Sequence, residues 1–426
     1  MKAQLRRTTV LASVLAVTAG MATAQEVSLL ADNNPDTIAI VEALTAAYSA
    51  ANPGVTFEIE LRPGGGEGDN IVKTRLATGE MTDIFTYNSG SLFQALPPTR
   101  TVVPIDDLPN FDAINSSFTQ TVTGSDGKVY SVPLNTAMGG GIFYNIPVYE
   151  KLGLSVPKTW DAFMANNAAI AAAGDITPVA QTYRDTWTSQ LFVLSDFYNV
   201  QAKEPDFATE YTGNKAKYAT SPAAMAGFQH LQDVFEAGYL NADFGAATYD
   251  DGTRMVATGE AAHYPMLTFA VGAIQQNTPE YLNDVGFFAQ PGDSEDDTGL
   301  TVWMPGGYFI PKGAEHEDIA KDFLNFVATV EACDIMTEAV GATGPYLIEG
   351  CTLPADVPTA VADMMPYFQD GGKTAPALEF LSPVKGPSLE QITVEVGSGI
   401  RDAASGAALY DKDVEKQAKQ LGLPNW

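Results

Sequence analysis

The 426-residue chain has two cysteines and three histidines, and 23 basic residues against 52 acidic ones. Each scarcity excludes something. His230, His263 and His316 stand at no ligand spacing, so no metal centre is expected. A Ser-His-Asp triad would need one of them beside an activated serine, and no local motif suggests one. A net charge of −29 repels nucleic acid and anionic lipid. Salt screens exposed charge beyond about 8–10 Å, so the acidity reads first as solubility or a salty habitat. No apolar run reaches the roughly 20 residues that span a bilayer. The longest candidate, Val10–Val17, follows Lys2, Arg6 and Arg7 and leads to Ala22-Thr23-Ala24. That is a secretory leader, residues 1–24, with Gln25 the first mature residue. No cysteine follows the cleavage site, so a lipid anchor is not indicated and a soluble periplasmic protein is expected. In an oxidising compartment Cys333 and Cys351 would pair by default, two buried free thiols being the alternative.

What is present is an α/β pattern. About 400 mature residues exceed one hydrophobic core, which rarely grows past about 250–300. Residues 26–31 read as a strand, and Asn34-Pro35-Asp36 as a turn into a helix with Ile38, Val41, Leu44 and Tyr48 on one face. Val55, Phe57 and Ile59 alternate as a second strand. A helix over 70–77 closed by Gly79 and a strand over 83–87 repeat the unit. Further helices are expected over 160–173, 187–198, 221–237, 319–330 and 413–421, with Trp160 in the core. No Pro/Ser linker separates two halves, which favours lobes sharing several crossovers.

Motifs for catalysis are weak. The run 62–69, Arg-Pro-Gly-Gly-Gly-Glu-Gly-Asp, lacks the ending of a phosphate loop, and no G-x-S-x-G elbow occurs. Tyr249–Gly252 and Asp293–Asp297 resemble calcium loops only loosely and read better as solvated acidic loops. Aromatic and amide residues instead gather in loops after strands, where ligands of open α/β sheets sit. Trp187 follows Tyr183–Thr186, Trp303 precedes Gly306-Gly307-Tyr308, and Asn88-Ser89 follow Tyr87. A flat ring supports the C–H face of a sugar while fixed polar groups bond its hydroxyls. Asn88 could equally cap a helix, and a lone tryptophan is more often core than platform.

In this order the motifs resemble the extracellular solute-binding proteins of carbohydrate ABC transporters, the maltose-binding-like family 1. The segments 76–85, 87–91, 129–135, 144–145, 257–262, 306–312 and 320–326 carry the resemblance, which covers the mature chain. One departure is 266–269, Met-Leu-Thr-Phe, where Phe269 falls at the family's usual tryptophan and Leu267 replaces a glycine. The resemblance implies a two-lobed type II fold and no catalysis. Residues 25–133 and 267–330 would form one lobe, and 134–266 and 331–426 the other. Glu67, Asn88 and Ser89 would reach the ligand from the first lobe. Asn135, Arg184, Asp185, Trp187, Thr268 and Phe269 would do so from hinge strands and the second lobe. Trp303, Gly306 and Gly307 lie near the return crossover, the glycines for close backbone approach. Implied partners are a carbohydrate and membrane permease subunits, with the receptor a monomer and no cofactor. Several platforms favour a di- or oligosaccharide, an α-glucoside being the first thought. The competing readings are a polyamine, peptide or other solute on the same fold, or a secreted carbohydrate-active enzyme.

Overall fold

The first strand, β1 (Gln25–Asp32), buries Val27, Leu29, Leu30 and Ala31 and is an interior strand of its sheet, not an edge. This computed structural model describes residues 25–369 and 371–426, so the expected leader lies outside the described residues. Pro35 opens the helix Pro35–Ala51, which packs Ile40, Val41, Leu44 and Tyr48 inward. Asn52-Pro53-Gly54 ends it and β2 (Val55–Arg62) returns parallel to β1, Gln25 opposite Val55 and Asp32 opposite Arg62. The helix Gly65–Thr78, closed by left-handed Gly79, leads to β3 (Ile84–Tyr87), also parallel to β1. After β4 (Val132–Pro133) the chain enters a second sheet through β5 (Met138–Asn145). That sheet gains β6 (Thr177–Val179), β7 (Ala261–Leu267), β8 (Val285–Ala289) and β9 (Leu300–Trp303). The chain then returns as β10 (Gly307–Phe309), antiparallel between β3 and β4. Finally β11 (Thr374–Pro376) joins β9 in the second sheet. The orders are β2-β1-β3-β10-β4 and β11-β9-β5-β7-β6, with β8 also on β5.

Each sheet anchors its own lobe. Phe85, Phe93 and Phe309 stack in the first, and Tyr48 meets Phe57 and Phe323 edge-on in the same core. Trp160 is core in the second, against Phe163, Phe192 and His230. The lobe boundaries differ from those expected. Residues 267–303 do not return to the first lobe at 267; β8 and β9 extend the second sheet, and the return comes at Met304–Gly306. Residues 331–348 do not belong to the second lobe; the helix Val330–Val340, Leu347 and Ile348 pack in the first core. The final departure therefore follows Cys351. The first two crossings lie side by side, and the stretch through Pro345 runs beside them: Leu134 N–H donates to Gly306 O (2.9 Å), and Ala137 N–H to Pro345 O (2.8 Å). The Thr136 and Thr343 hydroxyls bond at 2.7 Å in the same bundle.

Several helices depart from expectation for local reasons. The helix expected over 70–77 starts earlier, the glycine run forming the first turn of the helix Gly65–Thr78. At Gly68 a Cβ would lie 1.9 Å from Pro63 O, so only glycine fits. The helix expected over 187–198 breaks into Thr186–Gln190, Leu191–Leu194 and Phe197–Lys203. Thr301 causes the break, its hydroxyl donating to Ser195 O (2.7 Å) and accepting from Tyr198 N (2.9 Å). The stretch 319–330 splits because Thr329 caps a new helix, accepting from Ala332 N. The charged end at 413–421 is the tail of the longer helix Ala403–Gln420. Cys333 and Cys351 form a disulfide, within the first lobe rather than the second. No helix among the described residues is long and apolar enough to cross a membrane.

Candidate ligand cleft

The lobes face each other across a cleft with two connected compartments, which share Asn34, Gly64, Trp187 and Glu390. They touch at several places, among them Gly272 against Asp36 and Val340, and Gly64 against the Trp187 ring. Gly66 N–H donates to Glu390 Oε2 (3.4 Å), and Gly90 lies so close to the second lobe that a Cβ would stand 2.6 Å from Glu379 O. Gly90 also has φ of 67°, a left-handed conformation in which glycine is unstrained. The structure is thus a shut form.

One compartment brings together Asn88, Ser89, Asn135, Trp187, Phe269, Trp303 and Gly306 from the sequence expectation. Asn88 is exposed and caps no helix; Gly90 takes that place. Ser89 is buried and donates to Pro305 O (2.8 Å), tying β3's loop to the crossing strand. Asn135 Oδ1 accepts from Thr136 N (2.8 Å), at the hinge. Trp303 ends β9 and lies flat on β5, where Gly140 leaves room for its ring. Its indole N–H donates to Glu379, and Glu379 in turn pairs with Lys385 at 3.3 Å. Trp187 and Phe269 lie 6.1 Å apart and both pack on Tyr249, at 5.4 and 5.7 Å. The aromatic surface therefore survives the loss of the usual tryptophan at Phe269, and Leu267 lines the cleft beside it.

Glu67, Arg184 and Asp185 line the other compartment instead. Glu67 and Arg184 are exposed, while Asp185 accepts from Tyr249 N (2.6 Å) and so braces the next helix. Two expected residues miss the lining. Thr268 is fully buried and holds β5, accepting from Gly139 N (3.0 Å). Gly307 sits within β10, where a Cβ would collide with the Ser131 hydroxyl at 1.9 Å; its need for glycine is strand packing. The loose calcium-like stretch Tyr249–Gly252 opens a helix, with Thr248 and Asp251 forming a capping box. Asp293 and Glu295 pair with Lys203 and Lys158. Among the described residues no group of three or more His, Cys, Asp or Glu could hold a metal ion.

The sequence reasoning passed over Asp36, Arg62, Asp69, Tyr87, Gln190 and the 379–390 segment. Among the described residues, four of these have a buried polar atom with no hydrogen-bond partner: Asp36 Oδ1, Arg62 Nε, Tyr87 Oη and Gln190 Oε1. Both lobes contribute. Such atoms cost roughly 1–3 kcal/mol each when left unpaired, so they mark where a polar ligand belongs. Burial, then the charge on neighbouring Asp32, raises the Asp36 carboxyl to about 7. Burial also raises Asp69, against the pull of Lys73 and Arg62. Tyr87, whose hydroxyl faces Asp69, is pushed well above the usual phenol value by burial first. Lys385 stays charged despite burial because Glu379, Tyr410 and Glu390 surround it. His230 and His263 are lowered to about 3 by burial, and act as neutral core groups.

The comparisons with known proteins agree with this architecture. A multiple sugar-binding protein of Streptococcus mutans is 24% identical over 312 residues, 71% of this chain and 70% of that one. An ABC transporter extracellular-binding protein of Pyrococcus horikoshii is 25% identical over 312 residues, 71% of this chain and 68% of its own. Among solved structures, a chitin oligosaccharide binding protein superposes with a TM-score of 0.80 at 23% identity, covering 93% of this chain and 99% of that one. RafE in complex with raffinose gives 0.74 at 19% identity, with the same 93% and 99% coverage. The fold and family are those of solute-binding proteins, not enzymes. Residues 31–332 match the bacterial extracellular solute-binding protein family, and the chain belongs to it.

Proposed function

We propose that this protein is the sugar-capturing component of an ABC importer, working in the periplasm as a monomer. One observation carries the reading. Four buried, unpartnered polar atoms from both lobes face the same cleft as the Trp303, Trp187 and Phe269 rings. Rings take the apolar face of a sugar, and unpaired donors and acceptors take its hydroxyls. Asn88, Ser89 and Gly306 form the first-lobe wall, Asn135 the hinge, and Glu67, Arg184 and Asp185 the outer rim. Three ring surfaces suit a di- or oligosaccharide better than a single ring, an α-glucoside being one candidate. The sugar-binding relatives support the same class.

The mechanism is mechanical. A ligand held by only one lobe would not favour closure; a ligand touching Arg62 and Tyr87 on one side and Gln190 and Trp303 on the other does. The adjacent crossings let the lobes swing as rigid bodies. The shut face is then what permease subunits would recognise. The test is a panel of di- and oligosaccharides followed by calorimetry, tryptophan fluorescence and small-angle scattering. Saturable heat, a fluorescence change and a smaller radius of gyration with one saccharide are expected. Heat from no saccharide, with a polyamine or peptide binding instead, would overturn it.

A further inference from the structure

The first-lobe helix Gly65–Thr78 begins without a cap of its own. The residue before it is Gly64, which has no side chain to offer the first amides. Those N–H groups have no partner within a helix, and they carry its positive end. Here an acceptor arrives from the other lobe. Glu390, in the first turn of the helix Leu389–Gly397, brings its carboxylate to Gly65 and Gly66. Its Oε2 accepts from Gly66 N–H at 3.4 Å and from the Thr186 hydroxyl, within its own lobe, at 2.7 Å. Thr186 thereby holds the group towards the first lobe. A Cβ at Gly65 would stand 3.1 and 3.3 Å from the two carboxylate oxygens, so a side chain there would crowd the group. Glu390 forms no ion pair among the described residues. The helix start is where its charge is met.

We propose that Glu390 is a latch between the lobes, bonding the first-lobe helix only when the cleft is shut and so favouring closure whichever sugar is held. The proposal rests on the hinged sugar receptor described above. In an open form the carboxylate and the glycine amides each return to water. A contact confined to one of two states shifts the balance towards that state. The affinity for every ligand of the shut form then changes by one common factor, because it scales with the competent fraction. This separates Glu390 from Trp303, Trp187 and Phe269, which act on the sugar itself. Glu390 lines both compartments, so a direct bond to the sugar is the rival role. The two roles differ across ligands, a sugar contact being specific and a latch indifferent.

The test compares Glu390→Gln, Glu390→Ala and Thr186→Val with the full mature chain. Calorimetry with maltose, raffinose and chitobiose gives affinity, small-angle scattering gives dimensions, and hydrogen exchange follows the segment 64–67. Circular dichroism checks the fold. Glu390→Gln keeps the shape and loses the charge, and it should weaken every saccharide that binds by about fivefold, the worth of a negative group at a helix start. Glu390→Ala should lose at least as much, and Thr186→Val, which leaves the carboxylate in place, a smaller but equally uniform amount. Larger dimensions and faster exchange at 64–67 are expected in the Glu390 variants. Losses that differ between saccharides by more than about threefold overturn the latch and make Glu390 a sugar contact, with the sugar reading intact. Dimensions and exchange identical to the wild type overturn it whether or not a saccharide binds. If no saccharide binds, the sugar reading fails alone, and scattering and exchange of the ligand-free chain decide the latch.

Discussion

Replacing Gly140 by alanine tests whether Trp303 is a working surface of the cleft. Gly140 lies in β5 directly under the indole, and an ideal Cβ there stands 2.3 Å from Trp303 Cζ3 and 2.8 Å from Ser195 Oγ. Non-bonded carbons settle at about 3.5–4.0 Å, so the ring must move by more than about 1 Å. That movement misaligns the indole N–H with Glu379 and turns the ring face. Overpacking of this kind costs about 1–3 kcal/mol. For a unit of 150–250 residues each kcal/mol lowers Tm by about 2–4 °C. A ring–sugar contact worth about 1 kcal/mol plus a lost alignment predicts roughly tenfold weaker binding. The control is Gly141→Ala, one residue on, whose Cβ would meet Phe288 O at 2.4 Å and Phe287 Cζ at 2.7 Å on the core side. Both variants should melt earlier by scanning calorimetry, but only Gly140→Ala should lose affinity and shift its fluorescence. Equal affinity in the two variants would refute the role assigned to Trp303.

Other outcomes follow from the same structure. Asp196 is buried in the second lobe, accepting from Asn199 Nδ2 (2.7 Å) and Gln290 Nε2 (3.1 Å), and burial raises its carboxyl to about 7. The folded state holds that proton where the unfolded chain has lost it. Stability therefore falls as pH rises from about 4 to about 7, by at most about 4 kcal/mol at about 1.4 kcal/mol per unit. Asp196→Asn should raise Tm at pH 8 and change it little at pH 5; an equal drop at both would show that the charge is held by its donors. His263 works in the opposite sense, being lowered to about 3, so its contribution is lost as pH falls from 6.5 towards 3. In Asp196→Asn the acid loss should steepen, read from melts between pH 4 and 6. Cys333→Ala with Cys351→Ala opens an 18-residue separation and should cost about 3 kcal/mol in the loop-entropy model, without changing ligand affinity. A matching loss of affinity would mean that the disulfide shapes the cleft.

Much of the first lobe was legible because its signals are local. Pro35 opening a helix and Asn52-Pro53-Gly54 stopping it need nothing distant. Asn88 and Trp187 were legible because they lie in connections after strands, and Trp303 because it ends one. Glu379, Lys385 and Glu390 were not, since they enter the cleft after the last crossing, from a one-turn helix, a loop and the first turn of the helix Leu389–Gly397. Asp36 read only as part of the turn into the first helix; its burial, which no local pattern announces, makes it unusual. The misplaced lobe limits have a similar cause. Nothing in Leu267 or Val330 marks a boundary, and the real return, Met304-Pro305-Gly306, looks like any turn between strands. The break after Leu194 depended on Thr301, more than a hundred positions away.

The interleaving of the two sheets bears on how this chain can be made. The first core closes only when Tyr308, Phe323 and Ile348 arrive, long after β1 and β2 have been synthesised. No single cut liberates a complete half. Early segments must wait, exposed, for partners hundreds of positions downstream, and such distant pairing slows collapse into the native arrangement. A chain slow to fold stays threadable for longer, which suits a polypeptide that has to pass a membrane pore before it takes shape.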